Sequence, residues 1–307
     1  MIRTTRKGPA ALCCGLAIVA GVVAAAGIFM RGDGSTVPVL SARGEAYEMA
    51  TTGLYAFNAQ RVVAEGVGWD VFTLLFAVPA LIAAAPAVGR GSFRGRLFAL
   101  GLLAYFFYQY LMYAVTWAFG PLFLPFVLIY AASLAGIVWI GASIAREELA
   151  GRFAEGFPRK GMAVLSIGMA LLLVVMWLGR VAAGLRGDMA SAGLLGQTTM
   201  VVQALDLGLV VPLCVLTGVT AWRARPVGYV LSSVLVVKAV AMASAICAML
   251  ISAWRVEGRL EVVPFAIFAG AAMAAAWLGV RMYRSTRAAE DEPGEAPRAG
   301  RPMLAAR

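Results

Sequence analysis

Eight apolar segments constrain the fold of this chain more than any other feature. They cover residues 9–30, 69–88, 97–119, 122–144, 161–179, 203–221, 229–253 and 262–283. A helix needs about 20 apolar residues to cross the hydrocarbon core of a bilayer. With 62% hydrophobic and 14% charged residues, the chain is too apolar for a soluble domain. Barrel strands would alternate apolar and polar residues, which these segments do not. The pattern predicts an all-α membrane protein with eight transmembrane helices and the lipid bilayer as its partner.

The distribution of Lys and Arg residues predicts how these helices are oriented. If the N-terminus is cytoplasmic, eighteen of the 26 basic residues fall in cytoplasmic segments, seven in outer segments, and one, Lys238, inside a span. This excess follows the positive-inside rule, so we expect both termini in the cytoplasm. It also accounts for the net charge of +10 without a nucleic-acid partner. The first segment lacks a clear A-x-A cleavage site, so we interpret it as a retained helix.

Four landmarks recur in the same order in both halves of the chain. They are RKGPAALCCGLA (6–17) with RKGMAVLSIGMA (159–170), Asp70 and Pro79 with Asp206 and Pro212, Arg94 and Gly95 with Arg225 and Gly228, and Pro125–Phe126 with Pro264–Phe265. In this alignment Tyr108 and Gln109 fall where Lys238 would fall. Because four crossings is an even number, both halves start on the same side, which predicts a 4+4 parallel internal repeat. Chance alignment of Ala-, Leu- and Val-rich helices is the alternative.

These landmarks divide the chain into four parts. Residues 1–144 form the first membrane unit, which includes an outer loop at 31–68, and residues 161–284 form the second. A cytoplasmic linker at 145–160 joins them, and residues 285–307 are predicted to be a disordered cytoplasmic tail because they combine Pro, Gly and mixed charge. We expect the outer loop to contain a helix lying on the bundle. A lid over an outward-facing site is the alternative.

Three ionisable residues lie within predicted helices and are therefore candidates for a functional site. Asp70, Asp206 and Lys238 would each cost at least about 2.5 kcal/mol in lipid, so each should face a partner or water. Lys238 and Asp206 lie roughly 9 Å apart along the membrane normal, a gap that the lysine stem could largely cover. Asp70 and Asp206 could instead cap helix N-termini near the outer ends of their spans, and an Asp206–Lys238 pair could simply fix the helix register.

A stripe of polar and aromatic side chains on the third predicted helix provides three more candidates. Tyr105, Tyr108 and Gln109 recur at helical spacing, so they share a face that should point toward protein. They could line a pathway for a ligand or an ion. Ordinary aromatic packing within the core is the alternative interpretation.

The residue types that are missing also restrict the function. The chain has no histidine, which excludes His-based metal sites and His-centred triads. Its four cysteines lie within helices and form no C-x-x-C motif, so neither a disulfide framework nor a metal site is predicted. We expect no cofactor. An enzyme is therefore the third-ranked class, although a tyrosine or a carboxylate could still act as an acid or a base.

Several stretches of the sequence resemble those of a known group of proteins. WDVFTLLFAVP, YQYLMYA, FGPLFLPFVLIY and LDLGLVVP resemble segments of uncharacterised bacterial polytopic integral membrane proteins. The resemblance extends over most of the chain after the first helix. It implies a location in the bacterial cytoplasmic membrane and no particular activity.

Two classes of function fit these features. A transporter for a small solute or an ion would place its site between the two four-helix halves, at Lys238, Asp206 and the Tyr108–Gln109 stripe. A membrane sensor or assembly module would instead use the outer loop or the tail, and its intramembrane charges would be structural. A water-accessible cleft that reaches Lys238 would favour transport, and a closed core would favour the second class.

Overall fold

The computed structural model describes residues 7–144, 149, 153 and 156–286, and eight long helices make up most of this part of the chain. We number these helices α1 to α8 in chain order. Their bounds are α1 Lys7–Phe29, α2 Gln60–Gly89, α3 Phe93–Thr116, α4 Phe123–Ala142, α5 Arg159–Leu185, α6 Val201–Trp222, α7 Pro226–Glu257 and α8 Val262–Ser285. The predicted number of helices that are long and apolar enough to cross a membrane is confirmed.

Helix α2 begins earlier than the apolar pattern indicates. It starts at Gln60, whereas the apolar segment starts at residue 69. Arg61 and Glu65 interrupt the apolar pattern, but they form an ion pair of 3.0 Å one helical turn apart, so the helix continues through them. Asp70 consequently lies well inside the helix. The interpretation of Asp70 as a cap at the helix N-terminus is therefore wrong.

The segment between α1 and α2 contains a small antiparallel sheet instead of the expected helix. Strand β1 (Thr36–Leu40) pairs with strand β2 (Ala46–Ala50), so that the first residue of β1 lies opposite the last residue of β2. The sequence TVPVL is rich in β-branched residues, which favour an extended chain. Gly44 in the connecting turn adopts a φ of 79°, which glycine adopts without steric cost. In this segment the prediction of an entirely α-helical fold is wrong.

Hydrogen bonds to Asp33 close the open end of this β-hairpin. The hydroxyl of Thr52 donates to Asp33 Oδ1 over 2.6 Å, and the backbone N–H of Ser35 donates to the same oxygen over 2.9 Å. These bonds favour the ionised form and lower the pKa of Asp33 to about 2. We call the face of the bundle that carries residues 30–59 the hairpin side, and the opposite face, where α1 begins and α8 ends, the terminal side.

Most of the interface between the first four helices and the last four is formed by α7, which packs against both α2 and α3. Helix α3 has buried side chains on every face between Leu97 and Tyr113. It packs against α2 and α4 within its own half and against α7 from the other half. Gly101 permits this crossing, because a Cβ atom there would lie only 2.8 Å from the carbonyl oxygen of Val234. Close approach at small residues is a common basis of helix association in membranes.

The helix pairs α2–α3 and α6–α7 have the same local geometry. Each first helix contains one π-helical turn, Thr73–Ala77 in α2 and Asp206–Val210 in α6, with a proline two residues later. The turns that follow also match. The N–H of Ser92 donates to the carbonyl of Ala87, and the N–H of Arg225 donates to that of Thr220, both over 2.9 Å.

Corresponding residues of these two helix pairs lie 133 positions apart in the sequence, as Pro79 and Pro212 do. In this register Thr73 corresponds to Asp206, and Tyr105 corresponds to Lys238. The pairing of Asp70 with Asp206, and of Tyr108 and Gln109 with Lys238, is therefore displaced by about one helical turn. The hydrophobic pattern alone does not reveal this displacement, because a shift of one turn leaves the apolar residues on nearly the same face of the helix.

Most of the predicted tail and part of the predicted linker lie outside the described residues. Within the described part, Ser285 completes α8, and Thr286 forms an isolated β-bridge with Phe153 of the linker. Arg94, in the first turn of α3, donates to the carbonyl of Thr286 over 2.6 Å. The end of α8 is thus tied to the first four helices on the terminal side.

Candidate functional site

A cavity of about 350 Å³ lies between the first four helices and the last four. Helices α2 and α3 form one wall, and α5, α6, α7 and α8 form the other. On the hairpin side the cavity reaches Arg61 and Glu261, whose side chains are 28% and 38% exposed. On the terminal side the lining ends at Met162, Cys214 and Leu235. The volume is within the range of pockets that bind small molecules.

Three of the six predicted site residues, Tyr108, Asp206 and Lys238, line this cavity together. Both carboxylate oxygens of Asp206 accept a hydrogen bond. The Tyr108 hydroxyl donates to Oδ1 over 2.5 Å, and Trp177 Nε1 donates to Oδ2 over 2.7 Å. Asp206 is only 8% exposed, so these two donors replace much of the solvation that the carboxylate would have in water.

Lys238 contacts the face of an aromatic ring and not the carboxylate. Its Nζ lies 4.5 Å from the centroid of the Tyr108 ring, a cation–π contact. Within the part of the chain that the structure describes, Lys238 forms neither an ion pair with Asp206 nor a hydrogen bond. Tyr108 therefore connects the two charges, because its ring meets the ammonium group and its hydroxyl meets the carboxylate.

The π-helical turn of α6 places Asp206 at the cavity wall. The turn starts at Asp206, and the N–H of Val211 donates to the Asp206 carbonyl five residues earlier. An inserted π turn rotates the side chains on either side of it relative to an uninterrupted α-helix, and such turns are frequent at functional sites. In α2 the corresponding turn starts at Thr73, whose hydroxyl lies 2.8 Å from that of Tyr105. Thus the same backbone feature begins at a hydroxyl side chain in one half and at a carboxyl side chain in the other.

Arg61 joins the two halves at the opening on the hairpin side. Its guanidinium forms ion pairs with Glu65 of α2 at 3.0 Å, with Glu257 at the end of α7 at 3.2 Å, and with Glu261 before α8 at 2.7 Å. Two of these three partners belong to the opposite half of the chain. We call these four residues the Arg61 cluster.

Asp70 lies outside the cavity, in a fully buried cluster. The Tyr55 hydroxyl donates to Asp70 Oδ2, and the Tyr113 hydroxyl lies 3.4 Å from Oδ1. No Lys or Arg of the described ranges forms an ion pair with Asp70. Since Tyr55 belongs to the segment after β2, this hydrogen bond anchors that segment to α2. Tyr113 also lines the cavity, so one side chain separates Asp70 from it.

Tyr105 and Gln109 are also buried beside the cavity and do not line it. Trp69 Nε1 donates to the Tyr105 hydroxyl over 3.0 Å, and the Thr73 hydroxyl donates to Gln109 Oε1 over 2.9 Å. These bonds connect α2 to α3. Of the predicted polar stripe of α3, therefore, Tyr108 lies at the cavity, whereas Tyr105 and Gln109 lie in the interface between α2 and α3.

Trp177 and a set of methionines are the cavity residues that sequence reasoning missed. Seven of the 14 methionines line the cavity. Five of them recur at intervals of seven residues, namely Met162, Met169 and Met176 on α5 and Met242 and Met249 on α7. This interval is visible in the sequence and could have identified the wall. Trp177 carries no such signal, because its bond to Asp206 depends on how α5 packs against α6.

Comparison with protein-family models, with curated proteins and with solved structures finds no match for this chain. The function is therefore inferred from the cavity and its side chains. Within the described ranges, no three Cys, Asp or Glu side chains are grouped in a way that could hold a metal ion. The chemistry available in the cavity is hydrogen bonding, charge and apolar contact.

Proposed function

We propose that this protein is a membrane transporter for a small solute or an ion, with its binding site in the cavity between the two four-helix halves. The observation that supports this proposal is the open volume beside Lys238 and Asp206. A charge pair that only fixes helix register needs no such volume, since protein interiors are otherwise closely packed. A ligand held there would touch both halves, whose relative movement could expose it on either side of the membrane.

A sensor that binds a ligand in the same cavity without moving it is the second candidate. One contact favours it: Glu45, in the turn of the β-hairpin, accepts a hydrogen bond over 3.3 Å from the N–H of Gly196. Gly196 lies between two residues that line the cavity, Leu195 and Gln197. A ligand that shifts this rim could therefore move the hairpin, which would pass a signal to a partner outside the membrane.

The proposed transporter is built from two parallel repeats of four helices. The matching geometry of the α2–α3 and α6–α7 pairs, in one constant register, supports this arrangement. We further propose that both termini are cytoplasmic, on the basis of the basic-residue distribution. Because its segments resemble those of bacterial polytopic proteins, we also propose that the protein lies in the bacterial cytoplasmic membrane. The hairpin side would then face outward.

Cysteine labelling from each side of the membrane tests the proposal without knowledge of the substrate. The test variant carries Ala239→Cys, at the cavity position beside Lys238, in a background in which the four native cysteines are alanine. A membrane-impermeant thiol reagent is applied to right-side-out and to inside-out vesicles. A transporter exposes the cavity alternately, so Cys at position 239 should react in both preparations. Reaction from the hairpin side alone would support the sensor and exclude the transporter.

A matched control separates cavity access from access through lipid. Leu213→Cys in the same background places the thiol on α6, where the native side chain is 43% exposed and does not line the cavity. In a membrane this position faces lipid, so a charged reagent should not reach it from either side. Labelling of both positions at equal rates would mean that the bundle is loosened, and labelling of neither would exclude an aqueous cavity.

A further inference from the structure

We infer that the ligand of this cavity is an amphiphile with one anionic headgroup, a carboxylate, which binds at Lys238 while its apolar part lies along the methionines. This inference rests on the proposed binding cavity and specifies the class of its ligand. Two independent features carry it: an ammonium group with unused donors and two methionine rows with a common spacing.

The headgroup site is Lys238. An ammonium group has three N–H donors and no acceptor. In the described part of the chain it contacts the Tyr108 ring and forms no hydrogen bond or ion pair, which leaves those donors free to bind a ligand. Asp206 does not occupy them, because its oxygens accept from Tyr108 and Trp177. An acceptor with a full negative charge would form the strongest bonds to these donors.

The charge of Asp206 also limits how much negative charge the ligand can carry. Asp206 and Lys238 line the cavity together, and in their ionised forms they carry opposite unit charges. A monoanion adds one negative charge next to the ammonium group, whereas a dianion would meet the nearby carboxylate as well. In a region of low dielectric constant this second interaction is strongly unfavourable. A carboxylate fits this requirement better than a doubly charged phosphate.

The apolar part of the ligand site consists of two methionine rows, one on α7 and one on α5. On α7, Met242 and Met249 follow Lys238 by four and eleven residues, which places all three within about 40° of one another around the helix. On α5, Met162, Met169 and Met176 share one face and also line the cavity. Methionine is flexible and polarisable, and it is common on surfaces that accept varied apolar groups. The rows therefore fit a chain or ring of variable shape better than one rigid solute.

Equilibrium binding of radiolabelled octanoate tests the inference. The full chain is placed in lipid nanodiscs, and the signal of empty nanodiscs is subtracted. Octanol and octyltrimethylammonium then compete as the neutral and cationic amphiphiles of the same chain length. Hydrogen bonds to charged groups are strong enough that we expect octanoate to bind at least about ten-fold more tightly than either competitor. Equal competition by octanol would overturn the inference.

Variants of Lys238 locate the headgroup. Lys238→Met keeps much of the stem and removes the charge, so octanoate affinity should fall at least about ten-fold. Lys238→Arg keeps the charge and should retain most of the affinity. Lys160→Met is the matched control, because Lys160 lies near the terminal-side end of α5 and outside this cavity. Unchanged octanoate binding by folded Lys238→Met, or an equal loss in Lys160→Met, contradicts the assignment.

A further variant separates failure of this inference from failure of the proposed function. Ala239→Phe fills part of the cavity beside Lys238 without changing charge. If all three amphiphiles bind equally and Ala239→Phe abolishes their binding, the cavity is a ligand site and only the anionic preference is wrong. If no amphiphile binds and Cys at position 239 reacts from one side only, both the inference and the transport proposal fail.

Discussion

At the scale of single residues, the two intramembrane acids have different surroundings. Asp70 is fully buried among tyrosine hydroxyls, away from the cavity, and it links the segment after β2 to α2. Asp206 lines the cavity and lies next to a cation with free donors. An acid that is sealed in the core stabilises the fold, whereas an acid at an open wall can also respond to a ligand.

Replacing Tyr55 with phenylalanine should therefore lower stability without affecting the cavity. Tyr55→Phe removes a hydroxyl that donates to a buried carboxylate, which leaves Asp70 Oδ2 without that donor. We expect a loss of about 1–3 kcal/mol in the free energy of unfolding, measured by thermal unfolding of the purified protein. Tyr130→Phe is the control, since no hydrogen bond involves its hydroxyl within the described ranges. Equal effects of the two variants would show that the Asp70 cluster adds nothing specific.

At the same scale, the sequence could identify which polar residues matter but not how they pair. Lys238 and Asp206 were predicted because ionisable groups are costly inside a span, and Tyr108 because it shares a helical face with other polar side chains; neither signal depends on the neighbouring helices. The hydrogen-bond partners of these residues do depend on the neighbouring helices. The bond from Trp177 to Asp206 requires α5 and α6 to be packed in one rotation, and a tryptophan in an apolar segment has many other uses, including interfacial anchoring.

At the scale of helices, close approach at glycine determines where the two halves meet. Gly101 of α3 faces α7, and a side chain there would displace Val237 and Val234. The apolar pattern predicted the spans but not this contact. A glycine in a helix can face lipid, lie near a helix end or lie at a helix crossing, and the sequence does not distinguish these positions. Likewise, the apolar pattern placed the start of α2 too late, because Arg61 and Glu65 interrupt it. Their charges are neutralised by contacts that only the folded chain provides.

Adding one methyl group at the α3–α7 crossing should destabilise the protein. In Gly101→Ala the new Cβ would lie 2.8 Å from the Val234 carbonyl oxygen and still closer to Val237, so α3 and α7 must move apart. We expect a net loss of about 1–3 kcal/mol in thermal unfolding. Gly141→Ala is the matched control, because a Cβ atom there meets nothing within 4 Å. Alanine favours a helix over glycine, so the control should be neutral or slightly stabilising. The same loss in both variants would exclude the crossing as the cause.

At the scale of the whole molecule, the two halves touch where α7 packs against α2 and α3, and they are joined again at the opening by the Arg61 cluster. The cavity lies between these two connections. Movement of one half against the other must therefore preserve the helix crossing and break the ion pairs from Arg61 to Glu257 and Glu261. These ion pairs are partly exposed, so each contributes little, and the cluster can open at low cost.

Removing the charge of Arg61 should make the cavity easier to reach from the hairpin side. Arg61→Met leaves Glu65, Glu257 and Glu261 as mutually repelling neighbours across the interface of the halves. The measurement is the labelling rate of Cys at position 239 from the hairpin side. This rate should rise several-fold, which corresponds to a loss of about 1 kcal/mol of attraction between the halves.

High salt should raise the labelling rate of the parent protein toward that of the variant, because ions screen partly exposed ion pairs. Arg43→Met, which changes an exposed arginine in the β-hairpin turn, should leave the rate unchanged. An unchanged rate in Arg61→Met would mean that the helix crossing alone controls entry, because the Arg61 cluster would then contribute nothing to closing the opening.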